Sequence, residues 1–269
     1  MRLSVLLPIY DMSPAQACLT QSVIRSLLQA TRDDPETEIV IIDDASPCQD
    51  TIEYVGDLEL PQLKIVAHTS NEGLVKSLNH GAVLAEGDAL MYCHSDCLCD
   101  LPTLTGIRRC LYCHPDAQVV VSILSDSSGS LLQAGGLVDR NLDLYWNVVD
   151  INRDTAVHWG DVWTARRDFF EDSGGLDEQY GIGYMECVDL GLRSIMAGCP
   201  VIAAHDSRVL HYKHQTFHAR YTTDERLSLM ASNLEKLKRK WWTYRHQIAA
   251  ASRLVPQETA KLQLPPEIV

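Results

Sequence analysis

The stretch "MYCHSDCLCD", residues 91–100, concentrates side chains that can bind a metal or exchange electrons. Several thiols and an imidazole could hold zinc, and a pair of thiols could form a redox site. Zinc sites of this kind use repeated C-x2-C pairs, and the spacing occurs once here, at Cys110 and Cys113, in a segment with helical amphipathicity. The pattern therefore favours the thiols of residues 91–100 as small buried hydrophobic groups.

The acid within this stretch, Asp96, points to a different chemistry. It follows an apolar run, "DALMYC", that is typical of a buried strand. A carboxylate at a strand end is the kind of ligand that a hard divalent cation takes when it carries a diphosphate. A turn aspartate that caps the next segment explains Asp96 equally well, so this residue alone leaves both interpretations open.

Two further acids, Glu186 and Asp189, stand three residues apart in a predicted helix and so share one face of it. One carboxylate could act as a general base while the other orients a substrate hydroxyl or caps a neighbouring backbone group. The alternative is a pair of exposed acids that the helix dipole favours near a helix N-terminus.

Strands and helices alternate regularly in the first hundred residues and must position these groups. Segments 3–9, 38–47, 63–68 and 88–96 predict strands, and segments 13–34, 50–58 and 70–87 predict helices or turns that lead into helices. Such alternation predicts a parallel sheet with right-handed crossovers, in which ligands bind at the carboxyl ends of the strands. The polar residues at those ends are Tyr10, Asp11, Asp43, Asp44, His94 and Asp96.

The second half of the chain is less regular. We expect strands near 117–124 and 162–166, a strand or hairpin within 130–150, a helix from about 184 to 198, short strands within 201–212, and a long amphipathic helix over 223–251. No internal repeat or flexible linker is evident. One compact domain with a C-terminal helical appendage is the simplest architecture.

Composition limits the classes of partner. The formal net charge of the 269 residues is -13, which argues against nucleic-acid binding through a basic face. The N-terminal apolar run is too short for a secretory or membrane-spanning segment, and nine cysteines without an export signal predict reduced thiols in the cytoplasm. A basic cluster with two tryptophans, residues 235–242, reads as a solvated helix face, with peripheral contact to an anionic membrane as the alternative.

Seven sequence blocks, read together, are more specific than any one of them. They are residues 5–11, 40–47, 71–81, 84–96, 168–180, 186–193 and 209–215, in that order. Their order and spacing closely resemble the family 2 glycosyltransferases of the GT-A fold, over roughly residues 2–215. The likeness is strongest to the branch that builds bacterial polysaccharides, with rhamnosyl- and galactosyltransferase-like members.

The resemblance implies an α/β GT-A fold, with a Rossmann-like, mostly parallel central sheet flanked by helices and a C-terminal helical extension. It divides the chain into a GT-A domain at 1–220 and a helical extension and tail at 221–269. Within the GT-A domain, residues 1–100 would form the nucleotide-binding half and residues 101–220 the acceptor-binding half.

The resemblance also implies roles for individual residues. Asp96 and His211 would bind Mn²⁺ or Mg²⁺, Glu186 would be the general base, and Asp189 would be its catalytic companion. The residues implied in nucleotide binding are Pro8, Ile9, Tyr10, Asp43, Asp44, Asn71, Gly73, Lys76, Asn79, His94, Ser95 and Asp96.

A cytoplasmic, metal-dependent, inverting glycosyltransferase is the activity that the resemblance implies. The donor would be a UDP-, GDP- or dTDP-sugar. The acceptor would be a hydroxyl of a glycan, a lipid-linked sugar or another molecule, as in polysaccharide biosynthesis.

Departures from the family pattern keep a second interpretation open. His94 stands where the family's D-x-D motif has its first acid, and Cys187 stands where the E-D block has its second acid. Leu78 replaces a common arginine, which leaves Lys76 as the nearest cation for the diphosphate. A nucleotide-sugar-binding or scaffold protein with reduced catalysis is therefore the alternative. A nucleotidyltransferase is disfavoured, because the N-terminus has no glycine-rich loop with a basic residue.

Overall fold

The computed structural model of the chain describes residues 1–58, 60–146, 150–212 and 219–251. Parts of three predictions lie outside the described residues: the hairpin at 147–149, the last motif block at 213–215, and the tail at 252–269.

The strands of the described residues belong to two sheets, of ten and of two strands. Their bounds are β1 Leu3–Ile9, β2 Thr37–Asp43, β3 Leu63–Ala67, β4 Ala89–Tyr92, β5 Cys97–Leu98, β6 Val119–Ser125, β7 Leu131–Gln133, β8 Gly136–Val138, β9 Leu144–Trp146, β10 Thr155–Val157, β11 Trp163–Arg166 and β12 Val201–His211. Strands β1 and β2 are buried along their whole length, as their continuous apolar runs require.

The helices are α1 Pro14–Ala30, α2 Asp50–Gly56, α3 Leu74–Leu84, α4 Leu101–Cys113, α5 Arg167–Asp172, α6 Glu186–Met196, α7 Thr223–Trp241 and α8 Arg245–Ala251. Local sequence explains several of their starts. Ser13 caps α1 by accepting a hydrogen bond from the backbone of Gln16, and Pro14 occupies the first helical position. Asp100 forms a capping box with Thr103 at the start of α4.

The large sheet runs in the order β10-β12-β6-β11-β4-β1-β2-β3. Strands β1 to β4 are parallel, which confirms the predicted mostly parallel α/β sheet. Strand β11 is antiparallel to both β4 and β6, and β12 is parallel to β6. The start of β11 therefore lies at the same edge of the sheet as the ends of β1, β4 and β12.

Two apolar clusters cover the faces of this sheet. One contains residues of α1 and α4, including Leu27 and Ile107, and it also contains Cys93, Cys97 and Cys99. Their burial confirms that these thiols pack in the core. The other cluster contains residues of α3, α5, α6 and the C-terminal helices.

Two local predictions were wrong. Residues 201–211 form one strand with a bulge between Ala204 and Arg208, instead of several short strands. The expected continuous helix over 223–251 is broken by a 3-10 turn at Trp242–Tyr244 into α7 and α8. Trp241, before the break, and Ile248, after it, both lie in the core.

The C-terminal helices pack as part of the main body. Leu237, Trp241 and Ile248 are buried. The Asn233 amide donates hydrogen bonds to the backbone oxygens of Tyr180 and Gly183. Within the described residues, no helix combines the length and the apolar composition needed to cross a bilayer.

Candidate active site

A cluster of possible metal ligands lies at the carboxyl edge of the sheet. The ligand atoms of His94, Asp96, Cys97 and His211 all lie within 4.8 Å of one another. His211 Nε2 lies 3.2 Å from Asp96 Oδ1, and His94 Nδ1 lies 3.9 Å from the same oxygen. Pairing of Cys97 with His211 across β5 and β12 holds the two segments together. The structure thus brings together the two predicted metal ligands.

His94 is built into this cluster. Its ring stacks on Tyr92 at 4.6 Å and meets the ring of His211 edge-on at 5.2 Å. Its Nε2 atom is buried and has no hydrogen-bond partner among the described residues, and burial, followed by the nearby His211, lowers the pKa of His94. A neutral imidazole with one open ring nitrogen is the form that binds a transition metal. Imidazole and thiol ligands suit Zn²⁺, whereas a carboxylate suits Mn²⁺ and Mg²⁺.

Glu186 begins α6 beneath the same edge. Its side chain is buried, with 5% exposed, and within the part of the chain that the structure describes its Oε2 atom has no hydrogen-bond partner. Burial, with a contribution from the charge of Asp161, raises the pKa of Glu186 to about 7. Burial, then Glu186 and then Asp96 raise the pKa of Tyr92, which places the tyrosine within electrostatic reach of both carboxylates. A carboxyl group with this pKa is suited to proton transfer at neutral pH.

Asp161 is a carboxylate of this site that sequence reasoning missed. It immediately precedes Val162 and β11, and continuing the β4–β11 register places it opposite His94. The Cys187 thiol donates a long hydrogen bond of 3.8 Å to Asp161 Oδ1. The available signal was an acid directly before the apolar run "VWTA". Only the antiparallel direction of β11 brings Asp161 to the carboxyl edge of the sheet that carries His94 and Asp96, which we call the active edge.

Asp189 has a different environment from Glu186. Its side chain is completely buried and accepts hydrogen bonds from Trp241 Nε1 at 2.8 Å and Lys240 Nζ at 3.0 Å, while Arg193 Nε lies 3.1 Å away. These contacts tie α6 to the end of α7. Although the two acids are three residues apart on one helix, the structure gives Asp189 the contacts of a structural anchor.

Asp44 organises the loop that precedes α3. Its two carboxylate oxygens accept hydrogen bonds from the backbone of Glu72 and Gly73 and from the side chain of Asn71, and His68 Nδ1 lies 2.9 Å from Oδ1. Gly73 has a positive φ of 92°, and a Cβ there would lie 3.1 Å from the Gly181 carbonyl oxygen. The predicted nucleotide residues Asp44, Asn71 and Gly73 therefore form one hydrogen-bonded unit.

The end of β1 faces a cation that sequence reasoning did not identify. The guanidinium of Arg220 lies 4.7 Å from the centre of the Tyr10 ring and donates a hydrogen bond of 2.9 Å to Asn71 Oδ1. Nothing in the sequence marks Arg220, because it lies outside the recognised blocks. Pro8 and Ile9, by contrast, are buried residues of β1.

Other predicted nucleotide residues have structural partners. Asp43 Oδ1 accepts a hydrogen bond from the Ser46 backbone. Asn79 bonds both backbone groups of Leu176. Exposed Lys76 pairs with Glu72 at 3.1 Å on the surface of α3, and half-buried Ser95 lies in the turn between His94 and Asp96.

Two further groups of possible metal ligands lie near the end of α4 and share Asp154, which precedes β10. There the Arg109 guanidinium donates to both Asp154 oxygens and also to Asp206. This ion network occupies the Asp154 carboxylate and ties α4 to β12. The other members of the two groups are Cys110 and His114 in one, and His205 and Asp206 in the other.

Solved glycosyltransferase structures share this architecture. GalNAc-T7, solved with UDP, GalNAc and Mn²⁺, matches with a TM-score of 0.72 and 17% identity over 94% of this chain and 51% of that chain. A mannosyltransferase from Pyrobaculum calidifontis, solved with GDP-Man and Mn²⁺, matches with a TM-score of 0.65 and 17% identity, over 93% and 69%. S. aureus TarS 1–349 in complex with UDP-GlcNAc matches with a TM-score of 0.62 and 18% identity, over 93% and 71%. These likenesses confirm the predicted GT-A fold.

The curated relatives are longer than this chain and match it over part of their length. Inactive polypeptide N-acetylgalactosaminyltransferase-like protein 5 of Mus musculus is 27% identical over 193 residues, which are 64% of this chain and 44% of the relative. The protein of the same name from Macaca fascicularis is 26% identical over 199 residues, or 66% and 45%. This chain spans less than half the length of these relatives. The model of glycosyl transferase family 2 matches residues 4–173, more than half of this chain, and the chain therefore belongs to that family.

Proposed function

We propose that this protein transfers a sugar from a nucleotide-diphosphate sugar to an acceptor hydroxyl. The observation that carries the proposal is the juxtaposition at one sheet edge of the cluster His94, Asp96 and His211 with buried Glu186, whose pKa is raised to about 7. A site of metal ligands beside a carboxyl group with that pKa is suited to departure of a diphosphate and deprotonation of a hydroxyl.

His94, Asp96 and His211 would hold Mn²⁺ or Mg²⁺, and the bound ion supplies positive charge beside the diphosphate of the donor. The loop organised by Asp44 and the end of β1 would hold the nucleotide. Glu186 would accept the proton of the acceptor hydroxyl as that oxygen attacks the anomeric carbon and the diphosphate leaves. Attack from the side opposite the leaving group makes the reaction inverting.

The donor and acceptor are proposed by class. The solved neighbours are named with UDP, UDP-GlcNAc and GDP-Man, which supports UDP- and GDP-sugars as first donors to test, followed by dTDP-sugars. A glycan or lipid-linked hydroxyl in polysaccharide biosynthesis, a cytoplasmic location, and division into halves at 1–100 and 101–220 remain our proposals.

Membrane contact through the 235–242 cluster gains no support from the contacts of its lysines. Lys236 bonds the Gln179 carbonyl oxygen, Lys238 pairs with Asp143 and Lys240 pairs with Asp177. Their charge is used within the protein, so we do not extend the proposal to a membrane surface.

A catalytically reduced nucleotide-sugar-binding protein is the second candidate function. The curated relatives carry the word inactive in their names, and Cys187 stands where the family pattern has an acid. This candidate predicts donor binding without turnover.

A donor panel separates the two candidates. We expect UDP-GlcNAc or GDP-mannose to raise the melting temperature in the presence of Mn²⁺, with a smaller rise in Asp96→Ala. Release of UDP or GDP should fall by about 10²- to 10⁴-fold in Glu186→Gln, because the proton acceptor is removed. The Glu186→Gln variant should still bind UDP. Donor binding by the wild type without nucleotide release, over a panel of hydroxyl acceptors, would favour the second candidate.

A further inference from the structure

We propose that Asp161 is a second substrate-facing carboxylate, which supplies from the segment before β11 the acid that position 187 of α6 lacks. The inference rests on the proposed glycosyl transfer and deepens it. Glu186 removes the proton of the attacking hydroxyl, and Asp161 accepts a hydrogen bond from a second hydroxyl of the acceptor. The acceptor class is therefore a polyhydroxylated one, such as a sugar.

The contact between Asp161 and Cys187 supports this exchange of positions. The Cys187 thiol lies 3.8 Å from Asp161 Oδ1, so the carboxylate occupies the space beside residue 187. Among the residues that the structure describes, the Cys187 thiol is the only side chain that donates a hydrogen bond to the Asp161 carboxylate. A thiol is a weak donor, which leaves most of the acceptor capacity of the carboxylate for a bound hydroxyl.

The backbone around Asp161 is fixed on several sides. The Asp161 N–H donates to Oε1 of buried Gln133 at 2.8 Å, and the next residue, Val162, accepts a hydrogen bond from the Ser122 backbone. A Cβ on Gly160 would lie 2.6 Å from Val121 of β6. A half-buried carboxylate on such a rigid support is preorganised for binding.

A close backbone contact also fixes α6 against the segment that precedes Asp161. A Cβ on Gly191 would overlap the His158 carbonyl oxygen, so α6 contacts the segment that leads to Asp161 through bare backbone. Glu186 and Asp161 consequently face one region from two elements, and the charge of Asp161 contributes to the raised pKa of Glu186. Asp189 cannot take this second role, because Lys240 and Trp241 occupy its oxygens.

Proton and bond changes balance in the step. The acceptor oxygen forms a bond to the anomeric carbon, and its proton passes to Glu186. The bond from the anomeric carbon to the phosphate oxygen breaks, and the nucleoside diphosphate leaves with the electron pair. When water is the acceptor, its second hydrogen bonds to Asp161, so hydrolysis of the donor reports on both carboxylates.

The test uses the full chain with Mn²⁺ and UDP-GlcNAc or GDP-mannose, with water as acceptor. We expect Asp161→Asn to lower the rate of nucleotide release by roughly 100-fold through misplacement of the acceptor, with unchanged affinity for UDP by calorimetry. Adding Cys187→Asp to Asp161→Asn returns a carboxylate to α6 and should recover most of the lost rate. Asp168→Asn, which changes an exposed acid on α5, is the control and should keep the wild-type rate.

Four outcomes would overturn the inference. A wild-type rate in Asp161→Asn would do so and leave the proposed function intact. Loss of UDP affinity in Asp161→Asn would assign Asp161 to the donor site instead. A double variant that stays as slow as Asp161→Asn, although its melting temperature matches that of the wild type, would show that the two positions are not equivalent. A wild type that binds UDP-sugar without any release of nucleotide would overturn the proposed function together with the inference.

Discussion

Burial of the Glu186 carboxyl has consequences for both activity and stability. The ordinary pKa of this group is 4.5, and in the folded protein burial raises it to about 7. We expect turnover to increase as the pH rises through 7, because only the ionised carboxylate can accept a proton. The same shift makes ionisation of Glu186 costly to the folded state.

The sign of the stability effect follows from proton binding. Between pH 4.5 and 7 the folded protein holds a proton on Glu186 that the unfolded chain releases, so this contribution to stability is complete below pH 4.5 and is lost as the pH rises to 7. Glu186→Gln removes the titration. The free energy of unfolding of Glu186→Gln, relative to that of the wild type, should therefore increase by about 3 kcal/mol between pH 4 and pH 8.

Urea unfolding of both proteins at pH 4, 6 and 8 measures this difference. The difference between the two proteins should grow by about 2 kcal/mol between pH 4 and pH 6 and by about 1 kcal/mol between pH 6 and pH 8. A difference between the two proteins that does not vary with pH would show that Glu186 keeps its ordinary pKa.

Helix α6 combines two acids that the sequence presents as a pair and the fold separates. Glu186 begins the helix at the active edge, whereas Asp189 receives Trp241 Nε1 and Lys240 Nζ from the end of α7. A buried carboxylate needs such partners to offset its lost hydration. Among the contacts between α6 and α7, the one made by Trp241 is the most direct to test by substitution.

Trp241 and Trp242 form a matched pair for that measurement, because they are adjacent and differ in burial, with 6% and 51% exposed. Trp241→Ala should lower the free energy of unfolding by about 3 to 5 kcal/mol, since it removes a core side chain and a hydrogen bond to Asp189. Trp242→Ala should change it by about 0.5 kcal/mol or less. Equal effects of the two substitutions on urea unfolding would contradict the packing of α7 described above.

At the scale of the whole molecule, residues 221–251 contribute to the main core. Asn233 bonds the backbone of the turn at 180–183, which leads into α6, and Leu237 and Ile248 are buried in the cluster that also contains α3 and α6. The described part of the C-terminal extension therefore supports the active edge.

A chain ending at residue 220 tests this dependence. We expect it to lose the cooperative thermal transition seen by circular dichroism, because the apolar face formed by α6 and its neighbours becomes exposed. The full chain carrying Trp242→Ala is the control, since it changes an aromatic residue of the same region without exposing the core. An unchanged transition for residues 1–220 would establish the extension as an independent appendage.

The sequence alone determined the first half of the fold and named Asp96 and His211, which the structure places in one cluster of possible metal ligands. Apolar runs, and the Ser13 cap at the start of α1, specify β1 to β4 and the helices between them, and parallel strands place their ends, with Tyr10, Asp44 and Asp96, at one edge. Local patterns specify such elements because propensity and hydrophobic pattern agree within most of these segments.

Tertiary structure decided which side chains share the active edge. The antiparallel direction of β11 brings Asp161 opposite His94, and the docking of α7 assigns Asp189 to Trp241. Neither relation has a local signature, because strand direction and helix docking depend on contacts between residues far apart in the chain. The sequence could therefore name Glu186 and Asp96, but only the folded chain could show that Asp161 stands beside Cys187.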